Sequence, residues 1–161
     1  MPGLGVKPSR LSPSTSTWYF AYGSNLNVDQ MKDRVGEWQL SKRALVRNYR
    51  LIFNVNSKKW QGYTANLQAS DRFEDVVYGV VYHLTLEQLA KVQAHEGVPP
   101  TEIRVELEDG NEISHAKVFM WKTTNPGREP ATAYRKAMET GFTDHGYDKS
   151  RVDRVFGNIA R

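Results

Sequence analysis

Residues 76–84, VVYGVVYHL, are apolar almost throughout and constrain the fold more than any other segment. A continuous apolar run of this length, without alternating polar residues, is typical of a strand buried on both faces. A glycine inside such a run indicates a bend or a close backbone approach, which we expect at Gly79. The sequence therefore predicts a core strand here.

The residues that follow carry the start and stop signals of a helix. Thr85 and Gln88 form the T-x-x-Q pattern of a capping box, in which side chains and backbone amides hydrogen-bond reciprocally. Gly97 is expected to end the helix, because glycine readily adopts the left-handed conformation that follows a last helical turn. We predict one helix between these signals.

The other predicted elements are mainly strands early in the chain and helices at its end. Predicted strands cover residues 18–22, 44–55, 63–67, 103–107 and 113–121, with 44–55 and 63–67 able to pair antiparallel. Predicted helices cover residues 26–35, capped by Asn27, then 131–138 and 149–156, the last two separated by GFTDHGY at 141–147. This order predicts an α+β fold with a mostly antiparallel sheet, open or closed into a small barrel.

The length of the chain suits one hydrophobic core. With 161 residues, of which 39% are hydrophobic, we expect a single domain over residues 17–161. Residues 1–16, MPGLGVKPSRLSPSTS, are rich in Pro, Ser and Gly and carry no acidic residue, which predicts a disordered N-terminal tail. The alternative is a transit peptide, whose amphipathic helix the three prolines disfavour.

Composition excludes several kinds of site. Cysteine is absent, which rules out disulfides, thiolate metal sites and a cysteine nucleophile, and fits the cytoplasmic location that we expect. No apolar stretch approaches the roughly 18 to 20 residues that cross a bilayer, so no membrane partner is expected. The histidines lack metal-ligand spacing, and we predict neither a metal nor a primary catalyst among His83, His95, His115 and His145.

Charge is distributed unevenly along the chain. Residues 31–60 hold eight Lys or Arg against two acids, whereas residues 61–112 hold ten acids against three Lys or Arg. A basic stretch such as 32–59 can bind nucleic acid, but its aromatic residues do not recur among the positive charges as stacking platforms require. We interpret it as a solvated basic surface, with nucleic-acid binding as the alternative.

The first candidate site is the YGSNL loop, residues 22–26, between a predicted strand and a predicted helix. Backbone N–H groups and a helix N-terminus can converge there on an anion such as a carboxylate, with Gly23 allowing close approach and Ser24 and Asn25 adding donors. The alternative is a turn with a helix cap. Ser24 is not expected to be a hydrolase nucleophile, because the G-x-S-x-G motif needs glycines where Tyr22 and Leu26 stand.

The second candidate is Glu96, in the last turn of the predicted central helix. The negative end of the helix dipole disfavours its ionised form, and apolar neighbours would raise its pKa further. A carboxyl group of this kind can both take and return a proton near neutral pH. The alternative is an exposed glutamate at a helix end.

Three sequence blocks together resemble the γ-glutamylcyclotransferase family. They are YFAYGSNL at residues 19–26, YGVVY at 78–82, which looks like the family's G-V-V/L-Y strand, and HEGV at 95–98. Their order and separation are also similar, and the likeness covers most of residues 18–140. On these motifs the chain resembles the γ-glutamylcyclotransferase-like, or AIG2-like, superfamily.

This resemblance implies a fold, a pocket and a reaction. The fold is a small β-barrel with flanking helices, and the γ-glutamyl moiety is held by Tyr22, Gly23, Ser24, Asn25 and Leu26. The family's catalytic glutamate falls on Glu96, which would cyclise a γ-glutamyl amide to 5-oxoproline, releasing an amine without a cofactor. On a looser alignment Tyr134 matches a pocket tyrosine, with a core tyrosine as the alternative.

The leaving amine and the assembly stay open. Members that act on γ-glutamyl amino acids usually have a Tyr shortly after E-G-V, where this chain has PPTEI at residues 99–103. The expected partner is therefore a small-molecule γ-glutamyl amino acid or amine, and the chain is expected to be a monomer or homodimer. A non-catalytic anion-binding domain of the same fold is the alternative function, and nucleic acid is not expected as a partner.

Overall fold

The apolar strand predicted around Gly79 lies inside a five-stranded barrel in the computed structural model, which describes residues 15–161. The strands are β1 (Ser16–Ala21), β2 (Leu40–Arg47), β3 (Tyr49–Ser57), β4 (Gly62–Ala69), β5 (Val76–Thr85), β6 (Thr101–Leu107) and β7 (Glu112–Val118). The helices are α1 (Val28–Val35), α2 (Leu86–Glu96), α3 (Thr132–Asp144) and α4 (Lys149–Gly157). The predicted tail lies outside the described residues except at its end, where Ser16 already belongs to β1.

The barrel has the strand order β1-β5-β2-β6-β7 and closes where β1 meets β7 in parallel at Tyr19 and Lys117. The other strand pairs of the barrel are antiparallel. Val80, Val81 and Tyr82 in β5 are fully buried between β1 and β2. The predicted α+β class with a mostly antiparallel sheet is confirmed, and the sheet is closed.

Gly79 marks a close backbone approach, as the sequence predicts. A methyl group on Gly79 would stand 2.3 Å from the carbonyl oxygen of Ala21 in the neighbouring strand. No side chain fits that distance, so glycine lets β1 and β5 come together just before the YGSNL loop begins.

The predicted strand over residues 44–55 is divided into β2 and β3, because the chain bends sharply at Asn48. Asn48 has a φ of 66°, a left-handed conformation that asparagine tolerates better than most residues. Its N–H donates to Asp75 O, and its own carbonyl accepts from Ser70 N. The bend sends β2 into the barrel and β3 into a separate two-stranded sheet with β4, where the predicted antiparallel pairing with residues 63–67 is found.

The helix signals are confirmed at both ends of α2. Thr85 and Gln88 form the capping box, and Gly97 follows the helix with a left-handed φ of 79°. In α1, Asn27 accepts a hydrogen bond from Gln30 N and is the N-cap, although the helix begins two residues later than predicted. These caps fix where the YGSNL loop ends and where Glu96 stands.

The predicted interruption at residues 141–147 begins later than predicted, because α3 continues through Gly141 to Asp144 and residues 145–148 separate it from α4. A methyl group on Gly141 would stand 2.3 Å from the backbone carbon of Leu26 and 2.5 Å from the nitrogen of Asn27. This glycine lets α3 pack directly on the YGSNL loop, and packing offsets its poor helix propensity of about 1 kcal/mol relative to alanine.

Gly141→Ala is therefore expected to destabilise the protein and displace the loop. Overpacking at a tight contact costs about 1–3 kcal/mol, against a small gain in helix propensity. Chemical denaturation measures the free energy of unfolding. Gly157→Ala, where a methyl group meets no atom within 4 Å, is the control and should be near neutral. Equal stability of the two variants would contradict the packing described.

The predicted returning strand over residues 113–121 ends early, at Val118. Beyond it the chain crosses to the second sheet, where Trp121 N donates to Asn66 Oδ1 at 3.0 Å and Asn66 Nδ2 donates to Trp121 O at 2.8 Å.

Among residues 15–161, no helix combines the length and apolar character that a membrane span requires.

Candidate active site

A cavity of about 380 Å³ brings together most of the residues singled out in the sequence. Its walls come from β1, α1, the β3–β4 hairpin, the end of α2 and the start of α3. The predicted site residues on the cavity are Tyr22, Gly23, Ser24, Asn25, Glu96 and Tyr134. Leu26 is not on its wall: the side chain is fully buried in the core and anchors the loop from behind.

The YGSNL loop is held rigidly from the core. Leu26 N donates to Gly23 O at 3.0 Å, which closes a single turn of 3₁₀ helix over Ser24–Leu26. The hydroxyl of Tyr22 donates to Phe119 O at 2.6 Å, and the hydroxyl of Tyr82 in β5 donates to Asn25 O at 2.7 Å. Strand β5 therefore supports the loop as well as the barrel.

Tyr134 lies against the loop at Gly23. A methyl group on Gly23 would stand 2.2 Å from Tyr134 Oη, so glycine is needed for this contact. Trp60 and Phe53 pack edge-on around the tyrosine ring. Burial, followed by the charge of Glu96, raises the pKa of Tyr134 well above its usual range, so the hydroxyl is neutral and able to donate near pH 7. Tyr134 is both a core residue and a wall of the cavity.

The side chain of Asn25 organises its neighbours. Its Nδ2 donates to Tyr19 Oη at 3.0 Å and lies 3.5 Å from Glu96 Oε2. Its Oδ1 accepts from Gln30 Nε2 at 3.0 Å and from Arg34 Nη1 at 2.8 Å. The carboxamide is therefore saturated and serves to position the glutamate.

Ser24 differs from Asn25 in keeping a donor available. Its Oγ accepts from Gln30 Nε2 at 2.7 Å, which leaves the hydroxyl hydrogen free to reach a ligand in the cavity. The side chain is buried and lies on the cavity wall. Ser24 therefore offers the cavity a donor that no side chain or backbone group in the described part of the chain uses.

Glu96, the last residue of α2, projects onto the cavity with 18% of its side chain exposed. Its Oε2 accepts from Arg34 Nη1 at 3.3 Å, whereas Oε1 has no hydrogen-bond partner among residues 15–161. Burial raises the pKa of Glu96, and the charges of Arg34 and Lys59 oppose this shift. The alternative of a freely exposed glutamate does not hold.

The comparison with known protein families decides which family this arrangement represents. The family model described as gamma-glutamyl cyclotransferase, AIG2-like, matches residues 19–138. The chain belongs to this family. The match spans the YGSNL loop, Glu96 and Tyr134, so all the predicted site residues lie inside it.

Individual relatives agree with the family match. The gamma-glutamylcyclotransferase of Bos taurus is 28% identical over 155 residues, which cover 91% of this chain and 80% of that protein. The gamma-glutamylcyclotransferase of Homo sapiens is 27% identical with the same coverage. A solved structure of a gamma-glutamyl cyclotransferase superposes with a TM-score of 0.77 at 23% identity, covering 91% of this chain and 89% of that one, and shows the shared fold.

Two cations that line the cavity of this family member, Arg34 and Lys59, were not predicted from the sequence. Arg34 and Lys59 belong to the basic stretch 32–59, interpreted above as solvated, but both line the cavity, and the side chain of Arg34 is 7% exposed. In the same stretch Arg43 and Arg47 pair with glutamates of the barrel. The excess of positive charge was the available signal, but it does not tell which cations point inward.

Two of the histidines, His95 and His145, lie near the candidate site. Burial, Arg34 and Lys59 lower the pKa of His95, which lies on the cavity wall beside Glu96. His145 contacts Leu26 O at 3.1 Å behind the loop. Within residues 15–161, no group of three or more His, Asp or Glu is arranged to hold a metal ion.

Proposed function

We propose that this cavity binds a γ-glutamyl amide and converts it to 5-oxoproline and a free amine, with Glu96 as both base and acid. The observation that carries the proposal is the placement of Glu96. It shares one cavity with the YGSNL loop, its Oε2 is fixed by Arg34 and Asn25, and its Oε1 is free for a substrate.

The loop would hold the glutamyl end of the substrate. Ser24 offers a hydroxyl donor, and the positive charge of Arg34 favours an anionic ligand. With the α-carboxylate held there, the substrate folds so that its α-amine approaches its own γ-carbonyl carbon. Positioning of this kind can supply several kcal/mol, up to about 7 to 11 in the best cases.

The proton transfers balance within the substrate. Glu96 takes a proton from the α-ammonium, the amine nitrogen attacks the γ-carbonyl carbon, and Glu96 returns the proton to the leaving nitrogen as the amide C–N bond breaks. The ring nitrogen gives up its second proton to water, and the leaving amine takes one from water to depart as an ammonium ion. Glu96 ends as the carboxylate that it was at the start.

Tyr134 would contribute a neutral hydroxyl beside Gly23. Because its pKa is raised by burial, it keeps its hydrogen throughout the working pH range and can donate to an oxygen of the bound γ-glutamyl group. This role extends the sequence prediction that Tyr134 is a pocket residue.

Arg34→Gln is expected to move the acid limb of the pH profile of kcat/KM to higher pH. Glu96 must be ionised to act as the base, so activity falls as the pH drops through its pKa. Arg34 lowers that pKa against the effect of burial, and its removal lets the pKa rise. The profile with a γ-glutamyl substrate measures the limb. Lys32→Gln, on the exposed side of the same helix, is the control, and an unmoved limb in Arg34→Gln would count against the ion pair.

Product analysis tests the proposed reaction. The purified protein is incubated with γ-glutamyl amino acids, γ-glutamyl amines and glutathione, and 5-oxoproline is measured by mass spectrometry against incubations without protein. We expect 5-oxoproline from at least one of them. Binding without product would favour the non-catalytic anion-binding domain instead.

A further inference from the structure

The cavity is most buried at the YGSNL loop and most exposed on the side lined by Asn56, Lys59 and His95. Ser24 and Asn25 are 7% and 3% exposed, the side chain of Glu96 is intermediate at 18%, and Lys59 is exposed. In the proposed reaction the glutamyl end lies at the loop and the scissile amide at Glu96. The leaving group then extends towards the exposed side of the cavity, which Lys59 lines.

Lys59 is placed to meet that leaving group. It belongs to the β3–β4 turn, and its Nζ lies 5.6 Å from the centroid of the Trp60 ring, which packs edge-on against Tyr134. Lys59 has no ion pair with any residue in the described range 15–161. Its ammonium group therefore makes no direct ion pair on the cavity wall, although the charge of Glu96 acts on it from a greater distance.

The charges around this end of the cavity are unbalanced. The lining contains two basic side chains, Arg34 and Lys59, and one carboxylate, Glu96, which gives a net charge of +1 when all three are ionised. Burial and the charge of Arg34 lower the pKa of Lys59, and burial, Arg34 and Lys59 lower the pKa of His95. A further anion at this end would relieve the repulsion.

We infer that Lys59 forms a leaving-group subsite that selects γ-glutamyl compounds whose leaving amine carries a carboxylate. The inference rests on the proposed cyclisation for the direction in which the substrate lies. A γ-glutamyl amino acid places its second carboxylate next to the Lys59 ammonium, whereas a γ-glutamyl alkylamine brings no charge there. A leaving group with an added cation is repelled by Lys59.

A matched pair of substrates tests the subsite. γ-Glutamyl-alanine and γ-glutamyl-ethylamine differ only by the carboxylate of the leaving amine. The wild-type protein is expected to prefer the alanine compound in kcat/KM, and Lys59→Met should reduce that preference about tenfold, as for the loss of one charge-assisted hydrogen bond. Lys58→Met, which changes an exposed neighbour outside the cavity lining, should keep the wild-type ratio.

Binding separates this inference from the proposed reaction. Calorimetry with the Glu96→Gln protein measures the affinity of both compounds without turnover, with and without Lys59→Met. If Lys59→Met removes the preference in binding but the wild-type protein makes no 5-oxoproline, the subsite stands and the reaction fails. If Lys59→Met leaves the ratio of the two compounds unchanged in both binding and turnover, the subsite is wrong.

Discussion

Glu96→Gln is expected to lower kcat by about 10²- to 10⁴-fold, the usual contribution of a general acid/base. Glutamine preserves the shape of the side chain and can keep a contact with Asn25, but it cannot carry a proton between the α-ammonium and the leaving nitrogen. Because positioning by the loop remains, a residual rate above the uncatalysed cyclisation is also expected. Steady-state formation of 5-oxoproline measures both quantities.

The control for this variant lies on the same helix. Glu87 is an exposed glutamate in the first turn of α2, and Glu87→Gln should keep the wild-type kcat. Circular dichroism and the free energy of unfolding show whether Glu96→Gln is folded. A folded Glu96→Gln protein with an undiminished rate would show that Glu96 is not the proton carrier.

Gly23→Ala is expected to give the second large loss of activity. The added methyl group would stand 2.2 Å from Tyr134 Oη and 3.3 Å from Cζ, so either the loop or the tyrosine must move. A displacement of about 1 Å in a positioned site can cost about 10²-fold in rate. We expect a loss of kcat/KM of that size and a destabilisation of about 1–3 kcal/mol from overpacking.

A double variant identifies the contact responsible. Tyr134→Phe removes the oxygen that the methyl group would strike, so Gly23→Ala should destabilise the Tyr134→Phe protein less than the wild-type protein. Denaturant unfolding of the two single variants and the double variant gives the coupling energy. If the two destabilisations simply add, Gly23 and Tyr134 are not in the contact described.

Local sequence signals predicted much of the fold. The capping box of Thr85 and Gln88, the terminating Gly97 and the Asn27 cap are all observed, because each depends on residues within one helical turn. The apolar run around Gly79 predicted a core strand for a similar reason, since burial on both faces requires apolar residues throughout. Closure of the barrel could not be derived from such signals, because it depends on β1 meeting β7 nearly a hundred positions further along the chain.

Two predicted element boundaries, at Asn48 and Gly141, were misplaced because of tertiary contacts. The bend at Asn48 is a single left-handed residue fixed by hydrogen bonds to Asp75 and Ser70, which lie far along the chain. Glycine is a poor helix former, yet α3 continues through Gly141 because a glycine is needed where the helix meets Leu26. Local propensity was overridden by packing in both places.

The candidate site, like the fold, could be predicted from the sequence only in part. The YGSNL loop and Glu96 were located through their resemblance to a family, and the structure places both on one cavity. Arg34 was missed because its partner Glu96 lies 62 positions away, and only the fold brings α1 beside the end of α2. Lys59 was missed because the polar residues of its turn are typical of a solvated surface, and only the fold brings this turn onto the cavity wall.

The proposed reaction is an intramolecular attack, and the first product formed in H₂¹⁸O distinguishes it from attack by water. γ-Glutamyl-alanine is turned over in labelled water and the products are analysed by mass spectrometry, beside an incubation without protein. We expect alanine and 5-oxoproline without ¹⁸O, in equal amounts, because the attacking atom is the substrate's own nitrogen. Glutamate carrying one ¹⁸O would mean that water attacks instead and would contradict the proposed mechanism.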